Sequence, residues 1–220
     1  MKRFIITALV IVVSSSIKGK TQRFKIAEGA TIIIEKGDIT QSKAQAIVNA
    51  ANPKLLGGAG VCGAIFHAAG WNALQKACYQ YPEHNGERCP VGKACITASF
   101  DLAQYGIQHI IHAVGPDCRI VRDEHQQNTL LEETYKNTLL LATQKGIQSI
   151  AFPFISSGIY AFPKERAAHI ALATVVHYAR NNKDIKAVHF VLWEQSDFDL
   201  FCTLIKQMSV SKFSFIAPIF

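Results

Sequence analysis

Past residue 22, the chain alternates between two patterns of apolar and polar positions. Short runs rich in Ile, Val and Ala are apolar almost throughout, which is typical of strands covered on both faces of a sheet. Such runs are predicted to form strands at residues 23–26, 31–35, 46–49, 94–98, 109–114, 149–155 and 187–193.

Between these runs, apolar side chains return at the spacing of one helix face. The stretches with this period lie at residues 61–69, 130–142, 168–179 and 198–205. Because strands alternate with helices, the sequence predicts an α/β domain with a mostly parallel sheet between helical layers.

The first 20 residues differ from the rest of the chain. Lys2 and Arg3 precede a mostly apolar run at residues 4–13, and three serines follow. This order is typical of an export signal, and the run is shorter than the about 20 residues of a membrane-spanning helix. An exported product would be secreted or periplasmic. The alternative is an N-terminal β-strand in a cytoplasmic protein, because Ile, Val and Thr dominate the run.

We therefore divide the chain into an N-terminal segment at 1–20, a domain at 21–208 and an apolar, aromatic tail at 209–220. No other segment is long enough to span a membrane. We expect the domain to be a monomer.

The formal net charge of +7 favours anionic partners. No run of Lys and Arg exceeds two residues, and aromatic and basic side chains are not interleaved as in RNA-binding sheets. Nucleic-acid binding is therefore the weakest of the alternatives considered below.

The six cysteines form no C-x-x-C pair, and we expect neither a metal nor a cofactor. Their even number permits disulfides, although a core of this size does not require them. His109 and His112 have opposite parity in a strand, so they face opposite sides and do not pair as metal ligands. Four possible metal ligands are also clustered in the sequence, but their spacings fit no common zinc pattern. They are Cys78, His84, Cys89 and Cys95.

Two loops carry the features of anion-binding sites. The first, GGAGVCGA at residues 57–64, follows a strand and precedes a helix whose N-terminal N–H groups attract negative charge. The second, FISSGIYAFP at residues 154–163, offers two hydroxyls, a glycine and the flat face of Tyr160. Since ligands bind beyond the carboxyl ends of parallel strands, the two loops together predict a diphosphate ligand.

Asp38, in the segment GDIT, has two interpretations. Its carboxylate could accept a hydrogen bond from an exocyclic amine such as that of adenine. It could also cap a short helical turn, and the segment alone favours the cap.

Several segments in order resemble the macrodomains, most closely their MacroD-like branch, over residues 23–208. They are GDIT (37–40), AIVNAAN (46–52), LLGGAGVCGAI (55–65), AAG (68–70), CPVGKACIT (89–97), HAVGP (112–116) and AFPFISSGIYAFP (151–163). The resemblance implies a three-layer α/β/α sandwich with a mixed, mostly parallel sheet, and a site for ADP-ribose or an ADP-ribosylated protein.

Carried over by position, Asp38 would hold the adenine amine, and Asn52 would contact the distal ribose and the catalytic water. The two loops would enclose the diphosphate, with Tyr160 against the distal ribose. The ligand-binding positions that the resemblance implies are Asp38, Ile39, Asn49, Asn52, Gly57, Gly58, Ala59, Gly60, Val61, Cys62, Ser156, Ser157, Gly158, Ile159 and Tyr160.

The chain departs from the family pattern at the candidate catalytic position. Cys62 stands where MacroD-like hydrolases carry the Asp that is thought to activate water, and a neutral thiol is a poor proton acceptor. Cys62 is therefore either a thiolate base or nucleophile, or a small residue packed beneath the diphosphate. Ala59 replaces a loop glycine and should fit if its φ is negative. His67 lies one position later than the family's usual histidine.

Three functions remain open. The first is hydrolysis of ADP-ribosyl esters, on acidic side chains of proteins or in O-acetyl-ADP-ribose, with Asn52 and Cys62 as catalytic candidates. A substrate phosphate could then accept the proton of the water. The second is an ADP-ribose reader without chemistry, which Cys62 favours. The third is RNA or poly(A) binding.

Overall fold

The computed structural model of the protein describes residues 13–15, 20–26 and 30–210. Within them the chain forms eight strands, in the order β1 (Val13–Ser15), β2 (Thr21–Lys25), β3 (Thr31–Lys36), β4 (Ala46–Ala50), β5 (Ala94–Ala98), β6 (His109–Ala113), β7 (Ser149–Phe152) and β8 (Ala187–Leu192). Five α-helices connect and follow them, namely α1 (Gly60–Ala69), α2 (Trp71–Cys78), α3 (Glu124–Gln144), α4 (Lys164–Asn181) and α5 (Gln195–Val210).

The strands form one mixed sheet in the order β1-β2-β3-β8-β7-β4-β6-β5. The central pairs from β3 to β6 are parallel, and the outer pairs β1-β2, β2-β3 and β5-β6 are antiparallel. The parallel strands therefore end at one edge of the sheet, where their loops can converge.

The sheet has a separate apolar core on each face, which confirms the three-layer α/β/α prediction. Val48 of β4 packs with residues of α3, α4 and α5. Its neighbour Ile47 packs with residues of α1 and α2 on the other face. Strands covered on both sides lose the alternation of polar and apolar residues, which explains the nearly continuous apolar runs.

Four predicted strands end earlier than expected, those at 23–26 and 109–114 by one residue each. The other two end at the edge of the site. The prediction for 149–155 included three residues beyond Phe152, and the prediction for 187–193 included Trp193. Pro153 has no N–H for the ladder, so the chain leaves the sheet there. The residues released from the two strands enter the loops at the site edge.

The predicted division of the chain into an N-terminal segment, a domain and a tail is not tested, because most residues of the two ends lie outside the described residues. Val13–Ser15, inside the segment predicted as an export signal, pairs antiparallel with β2, and residues 1–12 and 16–19 lie outside the described residues. Helix α5 continues to Val210, and the remaining tail, 211–220, also lies outside them. No helix in the described part of the chain is long and apolar enough to cross a membrane.

Candidate functional site

A cavity of about 740 Å³ opens at the carboxyl edge of the parallel strands. Its walls come from the loops that follow β3, β4, β6, β7 and β8 and from the first turns of α1 and α5. This is the place where open α/β sheets bind ligands, because several loops and a helix N-terminus converge there.

The cavity brings together most of the predicted ligand-binding positions. The predicted positions that line it are Asp38, Ile39, Asn52, Gly58, Ala59, Gly60, Val61, Cys62, Ser156, Ser157, Gly158, Ile159 and Tyr160. Asn49 and Gly57 do not line it.

Gly57 lies behind the wall instead. A Cβ at this position would approach Trp71 Cζ2 to 2.5 Å, and the Gly57 N–H donates to Gln75 Oε1 at 2.9 Å. The glycine is thus needed for packing against α2, and its backbone N–H is already used.

The glycine loop, residues 57–60, leads directly into α1. Ala59 is the N-cap with φ of −98°, so the negative φ expected for an alanine here is confirmed. No acidic side chain lies in the first turn of α1, and the positive end of the helix dipole therefore stays uncompensated beside the cavity. This end of α1 can attract a phosphate.

The serine loop, residues 154–161, forms the opposite wall. Ser156 has φ of +63° and is 6% exposed, and its Oγ is buried with no hydrogen-bond partner among the described residues. Ser157 Oγ donates to the Phe154 carbonyl at 2.9 Å. Gly115 closes against Ser156, because a Cβ there would collide with the serine hydroxyl. The loop thus holds one strained serine whose hydroxyl lacks a partner.

Asp38 adopts the capping geometry that its segment favours. Its Oδ1 accepts from Thr40 N at 2.9 Å, at the start of the 3₁₀-helix Ile39–Gln41. The residue also lines the cavity. One carboxylate oxygen is therefore used locally, and the other can accept from a ligand.

Cys62 and Asn52 meet at the carbonyl of Leu56. Cys62 Sγ donates to this oxygen across 3.9 Å, and Asn52 Nδ2 donates to it at 2.7 Å. Asn52 Oδ1 in turn accepts from Leu56 N at 3.1 Å. The carboxamide of Asn52 is thus fixed in one orientation, with one N–H and one lone pair left over.

Burial raises the pKa of the Cys62 thiol, which outweighs the lowering by hydrogen bonds from Asn49 and the Gly58 backbone. At neutral pH the side chain is therefore a thiol and not a thiolate. This direction favours the interpretation of Cys62 as a packed small residue over that of a base or nucleophile.

Tyr160 is held at the same end of the cavity by the loop after β6. Its carbonyl accepts from Cys118 N at 2.9 Å, and the Arg119 guanidinium lies over its ring at 5.9 Å from the centroid. Arg119 is itself paired with Asp117 at 2.6 Å. These contacts fix the aromatic face that was predicted to meet the distal ribose.

Sequence reasoning missed the wall formed by the end of β8 and the start of α5. Trp193, Glu194 and Asp197 line the cavity, and Trp193 is 72% exposed. Asp197 pairs with Lys164 at 2.7 Å, which joins α5 to α4. The signal was available, because residues 187–193 were predicted as a strand of a mostly parallel sheet, and the carboxyl ends of parallel strands meet at one sheet edge.

The prediction that His109 and His112 face opposite sides of their strand is confirmed. Alternate residues of β6 point to opposite faces of the sheet. Ile111 packs in one core, so His109, two residues before it, points to the same face. Ile110 packs in the other core, so His112 points to that opposite face. His67 is exposed and lies against Trp71. The described residues contain no group of three or more His, Cys, Asp or Glu placed to hold a metal ion.

Fold and cavity together define a macrodomain: the chain belongs to the Macro domain family, whose model matches residues 48–171. An O-acetyl-ADP-ribose deacetylase of Cronobacter sakazakii is 44% identical over 176 residues, which are 80% of this chain and 94% of that protein. A macro domain-containing protein of Listeria monocytogenes is 46% identical over 177 residues, 79% of this chain and 96% of that protein.

Solved structures agree with this assignment. The Oceanobacillus iheyensis macrodomain with ADP has a TM-score of 0.78 and 39% identity, covering 86% of this chain and 96% of that chain. The Trypanosoma brucei macrodomain in complex with ADP-ribose has a TM-score of 0.68 and 28% identity, covering 79% of this chain and 68% of that chain.

Proposed function

We propose that this protein binds ADP-ribose in the cavity and hydrolyses ADP-ribosyl esters, with O-acetyl-ADP-ribose as the first substrate and esters on protein Asp or Glu as the second. The observation that carries the proposal is the pair of loops that face each other across one cavity, at the uncompensated N-terminus of α1. The relatives named O-acetyl-ADP-ribose deacetylase support the choice of first substrate.

In this proposal the glycine and serine loops enclose the diphosphate, and the Ser156 hydroxyl gains the partner that it lacks. Asp38 accepts from the adenine amine with its second oxygen. Tyr160 packs on the distal ribose, which places the ester near Asn52 and Cys62.

The hydrolysis adds water across the ester bond and releases ADP-ribose and a carboxylic acid. Asn52 orients the water with its remaining N–H and lone pair. Because Cys62 is a neutral thiol, a phosphate oxygen of the substrate takes the proton of the water. Positioning then supplies most of the rate, and the missing general base costs about 10²–10⁴-fold.

The second candidate is a reader that binds ADP-ribose without hydrolysis, and the raised pKa of Cys62 favours it. Both candidates are tested on the full chain. Calorimetry measures the affinity for ADP-ribose, and chromatography measures the release of ADP-ribose from O-acetyl-ADP-ribose and from a protein mono-ADP-ribosylated on glutamate. Asn52→Ala is the control for site-dependent release.

Release that Asn52→Ala abolishes supports the hydrolase. Binding without release identifies a reader, and no binding overturns both candidates. Cys62→Asp sharpens the result. If Cys62 stands in the place of a general base, the carboxylate introduced by Cys62→Asp should raise the rate of ADP-ribose release by about 100-fold. An unchanged rate would contradict the idea that the thiol replaces a general base.

A further inference from the structure

Behind Cys62, hydrogen bonds connect three neighbouring strands. Asn49 of β4 and His112 of β6 are register partners, and Asn49 Nδ2 lies 3.1 Å from His112 Nδ1. The other ring nitrogen, His112 Nε2, lies 3.0 Å from Thr97 Oγ1 on β5. The Asn49 amide also forms a hydrogen bond with the Cys62 side chain.

The same connection continues to the cavity wall. Cys62 and Asn52 share the Leu56 carbonyl as acceptor, at 3.9 and 2.7 Å. Together these contacts lead from Thr97, deep in the sheet, to the side chain that we propose orients the water. Every link except the Leu56 carbonyl is a side chain.

His112 is the central link and has no charged neighbour. It is fully buried, and Asn49, Thr97, Cys78 Sγ at 3.8 Å and the edge of the Phe66 ring face it from β4, β5, α2 and α1. Burial lowers the pKa of His112 to about 4, so the ring is neutral at pH 7. With the amide nitrogen of Asn49 as donor, Nδ1 accepts and the ring proton is on Nε2, facing Thr97.

We propose that His112 is a positioning residue: it fixes the Asn49 carboxamide so that Asn49 holds Cys62, and Cys62 and Asn52 share the Leu56 carbonyl, which sets the geometry of Asn52. The inference rests on the proposed hydrolysis. It also explains why Asn49, predicted as a ligand contact, lies behind the cavity wall. Asn49 Oδ1 is buried without a partner among the described residues, so the amide orientation is selected on its nitrogen side, by His112 and Cys62.

Three variants separate an effect of His112 on the positioning of Asn52 from an effect on the stability of the protein. His112→Leu removes both ring nitrogens. His112→Asn keeps an acceptor at the place of Nδ1 and so keeps the bond to Asn49, while it loses the bond to Thr97. Thr97→Val cuts the bond to Thr97 and leaves the His112–Asn49 bond intact. All three are compared with the wild type for turnover of O-acetyl-ADP-ribose, affinity for ADP-ribose and urea unfolding.

The expected result is a kcat about tenfold lower in His112→Leu, because a small misplacement of the water-orienting group is costly. Its ADP-ribose affinity should stay within about twofold of the wild type, since the links lie beneath the reacting end. His112→Asn and Thr97→Val should keep kcat within about threefold although each loses stability.

A kcat that falls in all three variants in proportion to their loss of stability overturns the inference, as does an unchanged kcat in His112→Leu. If the wild type binds ADP-ribose without turnover, the proposed hydrolysis fails first and this inference fails with it. Turnover in the wild type with equal kcat in all variants overturns the inference alone.

Discussion

The two loops that face each other across the cavity are built on opposite principles. The glycine loop holds no non-glycine residue at positive φ: Ala59 has φ of −98°, and the Gly57 N–H is bonded to Gln75. The serine loop holds Ser156 and Ala161 at positive φ and leaves a serine hydroxyl unpaired. Non-glycine residues at positive φ are strained and persist where the surroundings enforce them. The glycine loop is therefore preorganised. The serine loop carries an unfavourable free energy, from backbone strain and an unpaired hydroxyl, that a bound ligand can reduce.

The supports beneath the loops differ as well. Beneath the glycine loop lies the polar series through His112, whereas the core beneath the serine loop includes the aromatic pair Tyr135 and Phe152, 5.2 Å apart. The support beneath the glycine loop contains the buried His112, whose pKa burial lowers to about 4.

The largest expected effect is therefore acid destabilisation through His112. Its pKa is about 4 in the folded protein against 6.5 for an ordinary histidine. The unfolded chain binds the proton first, so stability is full above pH 6.5 and falls as the pH drops to 4. The loss through this group is about 3 kcal/mol.

Urea unfolding at a series of pH values measures this effect. His112→Asn should be less stable at pH 7 but should show a flatter decline between pH 6.5 and 4. An equally steep decline in the variant would assign the acid sensitivity between pH 6.5 and 4 to groups other than His112.

The next effect compares one glycine beside each loop. A Cβ at Gly63 would lie 2.5 Å from the Gly58 carbonyl oxygen, whereas a Cβ at Gly158 meets nothing within 4 Å. Gly63→Ala should therefore cost about 1–3 kcal/mol of stability and weaken ADP-ribose binding, because the preorganised loop must shift.

Gly158→Ala is the matched control and should change stability by less than about 0.5 kcal/mol. Thermal unfolding and calorimetry with ADP-ribose report on both variants. Equal effects of the two substitutions would contradict the difference between the loops.

The smallest expected effect is that of Ser156→Ala, which should raise the stability of the free protein and lower its affinity for ADP-ribose. Ser156→Ala removes a buried hydroxyl without a partner and should stabilise the free protein by about 1 kcal/mol. The same change should weaken ADP-ribose binding by about tenfold, if that hydroxyl donates to a phosphate. Ser157→Ala is the comparison, since its hydroxyl is already used by Phe154. A loss of stability in Ser156→Ala would show that the hydroxyl has a partner in the free protein.

Much of the fold was predictable because local patterns and tertiary structure agree. Seven strands and the long helices were found from apolar runs and helical period, since a strand buried on both faces must be apolar throughout. An N-terminal strand was the alternative interpretation of the run at 4–13, whereas β1 lies at Val13–Ser15 and pairs with β2, and local sequence does not encode that pairing.

Two walls of the cavity, the glycine and serine loops, were predicted, but the wall formed by the end of β8 and the start of α5 was not. The glycine and serine loops carry distinctive residues, so their place at the strand ends followed from the sheet rule. Trp193 and Glu194 carry no local mark, and they become part of the site only because β8 lies beside β3 and β7.

What the sequence by itself determined is the α/β alternation, the glycine and serine loops and the presence of Cys62 after the glycine loop, since each depends on residue type and local spacing. What only the tertiary structure decided is which polar groups are already satisfied. It placed Asn49 outside the cavity lining and beside His112, gave Asp38 a cap, fixed Asn52 on Leu56 and kept Cys62 a thiol. The physical reason is that hydrogen-bond partners and desolvation come from segments far apart in the chain, and no local pattern specifies them.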